Sequence, residues 1–153
     1  PNFDRIGGLK DDLPKGWSPA DMAALVRISS DKSFAKVPLL NGFCTLMRRE
    51  VFLDVGGLNY GAFPMGYGEE NDLCLRATKA GYKLALADHV YVYHSKSASF
   101  GSARRTELAK AGGKALKVLH PDVDLSTITA NFRDIPALVN LRAAIRSAYD
   151  NQH

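Results

Sequence analysis

The stretch that most restricts what this chain can fold into is Gly66-Tyr67-Gly68-Glu69-Glu70-Asn71-Asp72, continuing as Leu73-Cys74-Leu75-Arg76-Ala77-Thr78-Lys79-Ala80-Gly81. Its glycines permit a tight turn without a Cβ penalty, and the residues after them have helical spacing. Leu73, Ala77 and Ala80 share one face, and Gly81 is a C′ stop. Glu69, Glu70 and Asp72 therefore crowd one helix N-terminus. Acids there complement the helix dipole and satisfy free N–H groups, for a few tenths to about 1 kcal/mol each. Asp72 also precedes Arg76 by four residues and can pair with it on the helix surface. A third acid goes beyond this role, because crowded like charges raise one another's pKa, a condition that general bases use and scaffolds avoid. A catalytic and a structural reading of the cluster both stand at this point.

A chain of 153 residues, 46% apolar and 24% charged, suffices for one domain with a real core. It has no apolar run near the roughly 20 residues that span a bilayer and no signal-peptide pattern, which indicates a soluble or peripheral protein. Cys44 and Cys74 lie in apolar segments, where free thiols act as small hydrophobes, so a reducing, cytoplasmic setting is expected. The net charge of +4 is scattered apart from the doublets Arg48-Arg49 and Arg104-Arg105. That pattern excludes a basic nucleic-acid stripe but leaves attraction to phosphate groups or an anionic membrane surface. The first residue is Pro1 rather than Met, so an excised piece of a longer protein is expected.

From the N-terminus, residues 1–16 read as a looping lead-in, and Ser18-Pro19-Ala20-Asp21 opens a helix over 18–29 with Met22, Leu25 and Val26 on its apolar face. Alternation of Phe43, Thr45 and Met47 with Cys44, Leu46 and Arg48 predicts a strand from Gly42 onward, with Gly42 either a bulge or a point where a ligand lies against the backbone. A short helix over 50–55 ends at Gly56-Gly57, and Tyr60 and Phe63 in the next loop either stack on a sugar or anchor the loop. Runs 82–87 and 89–94 read as strands separated by Asp88, with His94 at the end of the second. Ser95 to Gly101 is a small, polar, basic loop that could wrap a diphosphate or serve as a linker. A helix from Ser102 to Leu119 follows, with Arg104-Arg105 placed at its start as for an anion site. Asp122-Val123-Asp124 is a turn or helix cap, and a last amphipathic helix covers 136–149.

Taken together, these blocks resemble the inverting glycosyltransferases of family 2, which have the GT-A nucleotide-sugar fold. The matching text is Asn41-Gly42-Phe43-Cys44, Arg48 to Phe52, Val55 to Leu58, Phe63-Pro64, Gly66 to Ala77, Ala80-Gly81-Tyr82, Val90 to His94 and Ser97 to Gly101, in the family's order. The resemblance covers roughly residues 37–119. It implies an α/β fold, a partial GT-A mixed sheet of about three to five short strands with flanking helices. It further implies three regions: 1–36 as a lead-in, 37–119 as the acceptor-binding, catalytic half of the domain, and 120–153 as a helical extension. The family's Asp-x-Asp motif and its nucleotide-binding βαβ units are not found before Gly66, so a C-terminal half-domain is expected, inactive in isolation.

The family's acidic motif, commonly Glu-Asp, matches Glu69-Glu70 here, which puts Glu70 in the general-base position with Glu69 and Asp72 as the other candidates. By the same resemblance His94 is a ligand for Mn²⁺ or Mg²⁺ on the donor diphosphate. Gly42, Phe43, Tyr67 and Gly68 line the substrate, and Lys96, Ser99, Arg104 and Arg105 lie near the phosphates. The implied reaction moves a sugar, with inversion, from a nucleotide-sugar donor to a hydroxyl of a glycan, lipid-linked or protein acceptor, in the setting of cell-envelope polysaccharide. No nucleic acid is expected as a partner; a homodimer over the face of the missing half and peripheral membrane attachment are left open. The alternatives are a carbohydrate-binding module without chemistry and, ranked last, a metal-dependent hydrolase.

Overall fold

A computed structural model describes residues 13–94, 102–130 and 135–150. Six helices lie among them: α1 (Pro19–Ser29), α2 (Arg49–Asp54), α3 (Glu69–Lys79), α4 (Ser102–Leu119), α5 (Leu125–Ala130) and α6 (Pro136–Asp150). The chain divides into two compact units, one built from 1–36, 85–94 and 129–153 and the other from 37–84 and 95–128.

The first unit is organised by α1 and α6. A reciprocal capping box starts α1: the Asp21 N–H donates to Ser18 Oγ, and the Ser18 N–H donates to Asp21 Oδ2 at 2.8 Å. The Ser18 hydroxyl, which also donates to Asp21 Oδ2 at 2.7 Å, and then the Ser18 N–H hold the Asp21 carboxyl below the usual carboxylate range. Pro19 occupies the first helical turn, where its missing N–H costs nothing. Met22 and Val26 then meet Leu138, Leu141 and Ile145 of α6 in a core to which Trp17, Leu25 and Tyr91 add partly buried flanks. Asp88, buried at 3% exposure, closes the loop after α1. It accepts from Ser30 Oγ (2.6 Å), the Ser33 N–H (3.2 Å) and the Phe34 N–H (3.1 Å). Burial pushes its carboxyl up, but these donors outweigh burial and leave it below the usual range. They also hold Lys32 and Phe34 at positive φ.

The second unit packs α3 against α4. Leu73, Cys74 and Ala77 of α3 are buried, as are Leu108 and Leu116 of α4. Ala80, expected on the apolar face, is instead the exposed C-cap, and Gly81 beyond it takes φ +90° as a C′ glycine. Asp124 caps α5 by accepting from the Ser126 N–H at 2.9 Å.

The expected mixed sheet is absent among the described residues, where pairing is limited to an isolated antiparallel bridge between Lys36 and Ala85. Its backbone neighbourhood adds the Leu86 N–H to the Ala35 carbonyl in the first unit, and the Val37 N–H to the Leu84 carbonyl in the second. Pro38 follows at a position whose N–H would face away from residue 84, and the pairing goes no further. The strand expected from Gly42 onward is a turn followed by irregular chain, because local bonds capture it. Asn41 Oδ1 accepts from the Phe43 N–H at 2.9 Å, and Thr45 Oγ1 donates to the Asn41 carbonyl at 2.8 Å. Residues 82–87 and 89–94, expected as strands, form no ladder beyond the Ala85 bridge. Cys44 is exposed, whereas Cys74 is buried.

Gly112 is where α4 touches the turn before α3. A Cβ there would run into the Tyr67 carbonyl oxygen and stand 2.8 Å from its carbon, whereas Gly113 has nothing within 4 Å. Gly112→Ala is therefore expected to lower stability by about 2 kcal/mol or more, as overpacking does. Gly113→Ala should be neutral or stabilising by up to about 1 kcal/mol through helix propensity. Urea unfolding of both variants checks the contrast.

Candidate active site

Three successive positive φ angles, Gly66 at +78°, Tyr67 at +64° and Gly68 at +140°, bend the chain sharply into α3. Tyr67 is the strained member, since a non-glycine residue rarely adopts this region. At Gly68 a side chain has no room: a Cβ would come within 2.8 Å of the Phe63 ring and 3.3 Å of Leu116. Phe63 is itself buried, so of the two loop aromatics it is the anchor and Tyr60 is exposed. Gly68 is the N-cap of α3 and offers no capping side chain. Glu69 acts in its place, accepting from the Gly68 N–H at 3.0 Å.

The three acids of α3 meet three different environments. Glu69 is half-buried and caps the turn. Asp72 is 1% exposed and fully engaged. Its Oδ2 accepts from Arg76 Nε (2.9 Å) and Nη2 (2.7 Å), and its Oδ1 lies 2.8 Å from His120 Nε2. Arg76 continues the network by donating through Nη2 to the Gly57 carbonyl at 2.7 Å and through Nη1 to the Val55 carbonyl. Glu70 is the unsatisfied one. Its Oε2 is buried and has no hydrogen-bond partner among the described residues. Burial first, and the adjacent Glu69 charge after the backbone bonds that oppose it, push the Glu70 carboxyl above its ordinary value of 4.5.

Gly42 lies directly beside this carboxylate: a Cβ on it would be 3.4 Å from Glu70 Cβ. The fold thus brings together Gly42, Glu69 and Glu70, with Tyr67 and Gly68 forming the turn that carries the acids. Phe43, next to Gly42, is 46% exposed. On α4, Arg104 is exposed and paired with Glu107 at 3.0 Å, and Arg105 is exposed. Lys96 and Ser99 lie outside the described residues. His94 is an exposed residue of the first unit. Among the described residues no three His, Cys, Asp or Glu side chains converge to hold a metal ion. Asp72, moreover, has both oxygens committed to Arg76 and His120, so these residues do not build a metal centre. His120 escaped the sequence reading. Its one signal was position, a histidine just past the end of a long helix, where a proton donor or cation suits the helix dipole.

Two outcomes check this assignment of roles. Asp72→Asn breaks a buried ion pair and should cost about 3 kcal/mol, the lower end of such effects because the Arg76 side chain is 26% exposed; urea denaturation measures it. Glu70→Gln should behave oppositely. A carboxyl whose folded pKa is raised contributes stability below pH 4.5 that is lost as pH climbs through the folded value. The melting temperature of Glu70→Gln relative to wild type is therefore expected to rise between acid and neutral pH, and a difference independent of pH would remove the burial assigned to Glu70.

A family profile described as "Glycosyltransferase like family 2" matches residues 22–113. Uncharacterised proteins of Mycobacterium bovis and Mycobacterium tuberculosis are 37% identical over 62 residues, 40% of this chain and 24% of theirs. Another uncharacterised protein, from Sinorhizobium fredii, is 38% identical over 58 residues, 38% of this chain and 6% of its own length. The chain spans about a quarter or less of the length of the curated relatives it matches. No solved structure matches it significantly.

Proposed function

Because this chain belongs to the glycosyltransferase-like family 2, we propose that it supplies the general base of a sugar transfer from a nucleotide-sugar donor to a hydroxyl acceptor, and that Glu70 is that base. The unpartnered, buried Oε2 of Glu70 carries the reading. An ionised carboxylate oxygen shielded from water and lacking a donor is poised to accept a proton. As the acceptor hydroxyl oxygen bonds to the anomeric carbon, its proton passes to Oε2. The bond from that carbon to the diphosphate breaks, and its electron pair leaves with the phosphate. Attack from the face opposite the leaving group inverts the centre.

Other residues have supporting parts. Glu69 holds the turn through Gly68 and keeps a second charge beside the base. Gly42 leaves space beside Glu70 for the sugar, with Phe43 exposed next to it. Arg104 and Arg105, exposed in the first turns of α4, are suited to stabilise the departing diphosphate. A divalent ion on that diphosphate, common in this family, would have His94 as the one ligand proposed from this chain. The acceptor is a glycan, lipid-linked or protein hydroxyl. Among the described residues no helix is long and apolar enough to cross a membrane.

The test uses the full-length protein that contains this segment, assayed for nucleoside diphosphate release from a panel of nucleotide sugars with and without hydroxyl acceptors. Glu70→Gln is expected to lower kcat by about 10²–10⁴-fold, the range of a lost general base, with donor affinity unchanged by calorimetry. Wild-type turnover in that variant would remove Glu70 as the base. Glycan binding with no turnover in the wild type would instead favour a binding module.

A further inference from the structure

We propose that His120 is a positioning residue for the Glu69-Glu70 pair: acting through Asp72, it fastens the end of α4 to the first turn of α3 and so holds the turn that presents Glu70. The inference deepens the reading of Glu70 as a base, and its kinetic part rests on that reading.

The geometry of the fastening is specific. Arg76 takes Oδ2 of Asp72, leaving Oδ1 to His120 Nε2 at 2.8 Å. The Asp72 side chain is 2% exposed and that of His120 11%, so water is poorly placed to replace the imidazole. An Oδ1 without a donor would be a buried, half-satisfied carboxylate, an arrangement costlier than losing a surface bond. His120 is also held at its backbone, where its N–H donates to the Leu116 carbonyl at 2.8 Å, one turn back in α4. The side chain is thus a rigid continuation of the helix.

What α4 covers gives the tie its consequence. Leu116 reaches Gly68, Gly112 sits on the Tyr67 carbonyl, and these two contacts confine the turn with three positive φ angles. Nothing in the intrinsic preference of Tyr67 would keep it at φ +64°. Release of His120 from Asp72 frees the end of α4, loosens its seat on that turn, and lets water reach Glu70. Because a carboxylate can only accept, Nε2 carries the proton whether the ring is neutral or charged. The groups facing the imidazole are Asp72 and, behind it, Arg76. The tie therefore works as a fixed brace.

The experiment follows the Glu70 carboxyl by ¹³C NMR titration in wild type, His120→Gln and His120→Leu. Gln keeps a donor for Oδ1 and should titrate as wild type. Leu fills similar space without a donor, and the Glu70 midpoint should fall toward 4.5, the ordinary glutamate value. This readout needs no turnover, so it is separable from the base assignment. In the full-length protein, His120→Leu should lower kcat by about tenfold with donor KM within about twofold, and His120→Gln should restore it. The acid limb of its kcat profile should move to lower pH. A lowered midpoint in Leu with a wild-type midpoint in Gln upholds the proposal. An unchanged midpoint in whichever of His120→Leu and Gly112→Ala keeps its fold overturns it. A wild-type rate in Glu70→Gln beside a shifted midpoint would remove the base and leave the brace.

Discussion

The carboxylate of Asp72 is the point on which the second unit turns. Both of its oxygens are occupied, by the guanidinium of Arg76 and the imidazole of His120, in a site almost closed to water. Arg76 then reaches the carbonyls of Val55 and Gly57, in the loop that ends α2. One buried anion thus joins the end of α2, the first turn of α3 and the end of α4, three places distant in sequence. A buried ion pair is a weak source of net stability, since desolvation offsets most of the attraction. Its stronger effect is on alternatives: any packing that separates the three elements strands a charge in the interior.

That network also explains how three crowded acids coexist. Like charges at one helix end repel, and the helix dipole and free N–H groups compensate for about one or two of them. Here Asp72 is paired with Arg76 and hydrogen-bonded to His120, and Glu69 is bound to the Gly68 N–H. Glu70 alone keeps a buried oxygen without a donor among the described residues. The same three residues therefore divide into a structural anchor, a cap and a reactive group, and the division is set by what lies opposite each. From sequence, Asp72 stood both as a candidate base beside Glu70 and Glu69 and as a partner of Arg76 on the helix surface, whereas its carboxylate is buried.

Legibility followed sequence distance. Every helix that the chain announces through local signals appears: the capping box at Ser18, the stops at Gly56 and Gly81, and the amphipathic spacing of Leu138, Leu141 and Ile145. These signals act within one or two turns, so a linear reading captures them. Expected strands did not appear, because alternation marks a surface able to pair but not whether a partner exists. The Asn41 bonds prevent pairing by means as local as those that would form a turn. The acid cluster was legible as a place where charge is concentrated. Its internal assignment was not, since His120 lies 48 residues beyond Asp72 and no periodicity links them. Gly112 is a contact surface, which a pattern of spacings along the chain does not distinguish from a weak spot in a helix.

Gly112 and His120 lie on the same helix and its immediate end, eight positions apart, and their roles are complementary. A glycine inside a helix sacrifices about 1 kcal/mol of propensity relative to alanine, and at Gly112 that sacrifice permits backbone approach to Tyr67. Close approach alone is shallow in energy, because a glycine contributes no side chain to grip its neighbour. His120 supplies the grip at the other end, through a bond whose loss exposes a buried carboxylate to an unsatisfied interior. One feature lets the helix come near and the other keeps it there. The strained turn can then hold Glu70 Oε2 buried without a donor among the described residues, a state that the first turn of an isolated α3, open to water on all sides, would not sustain.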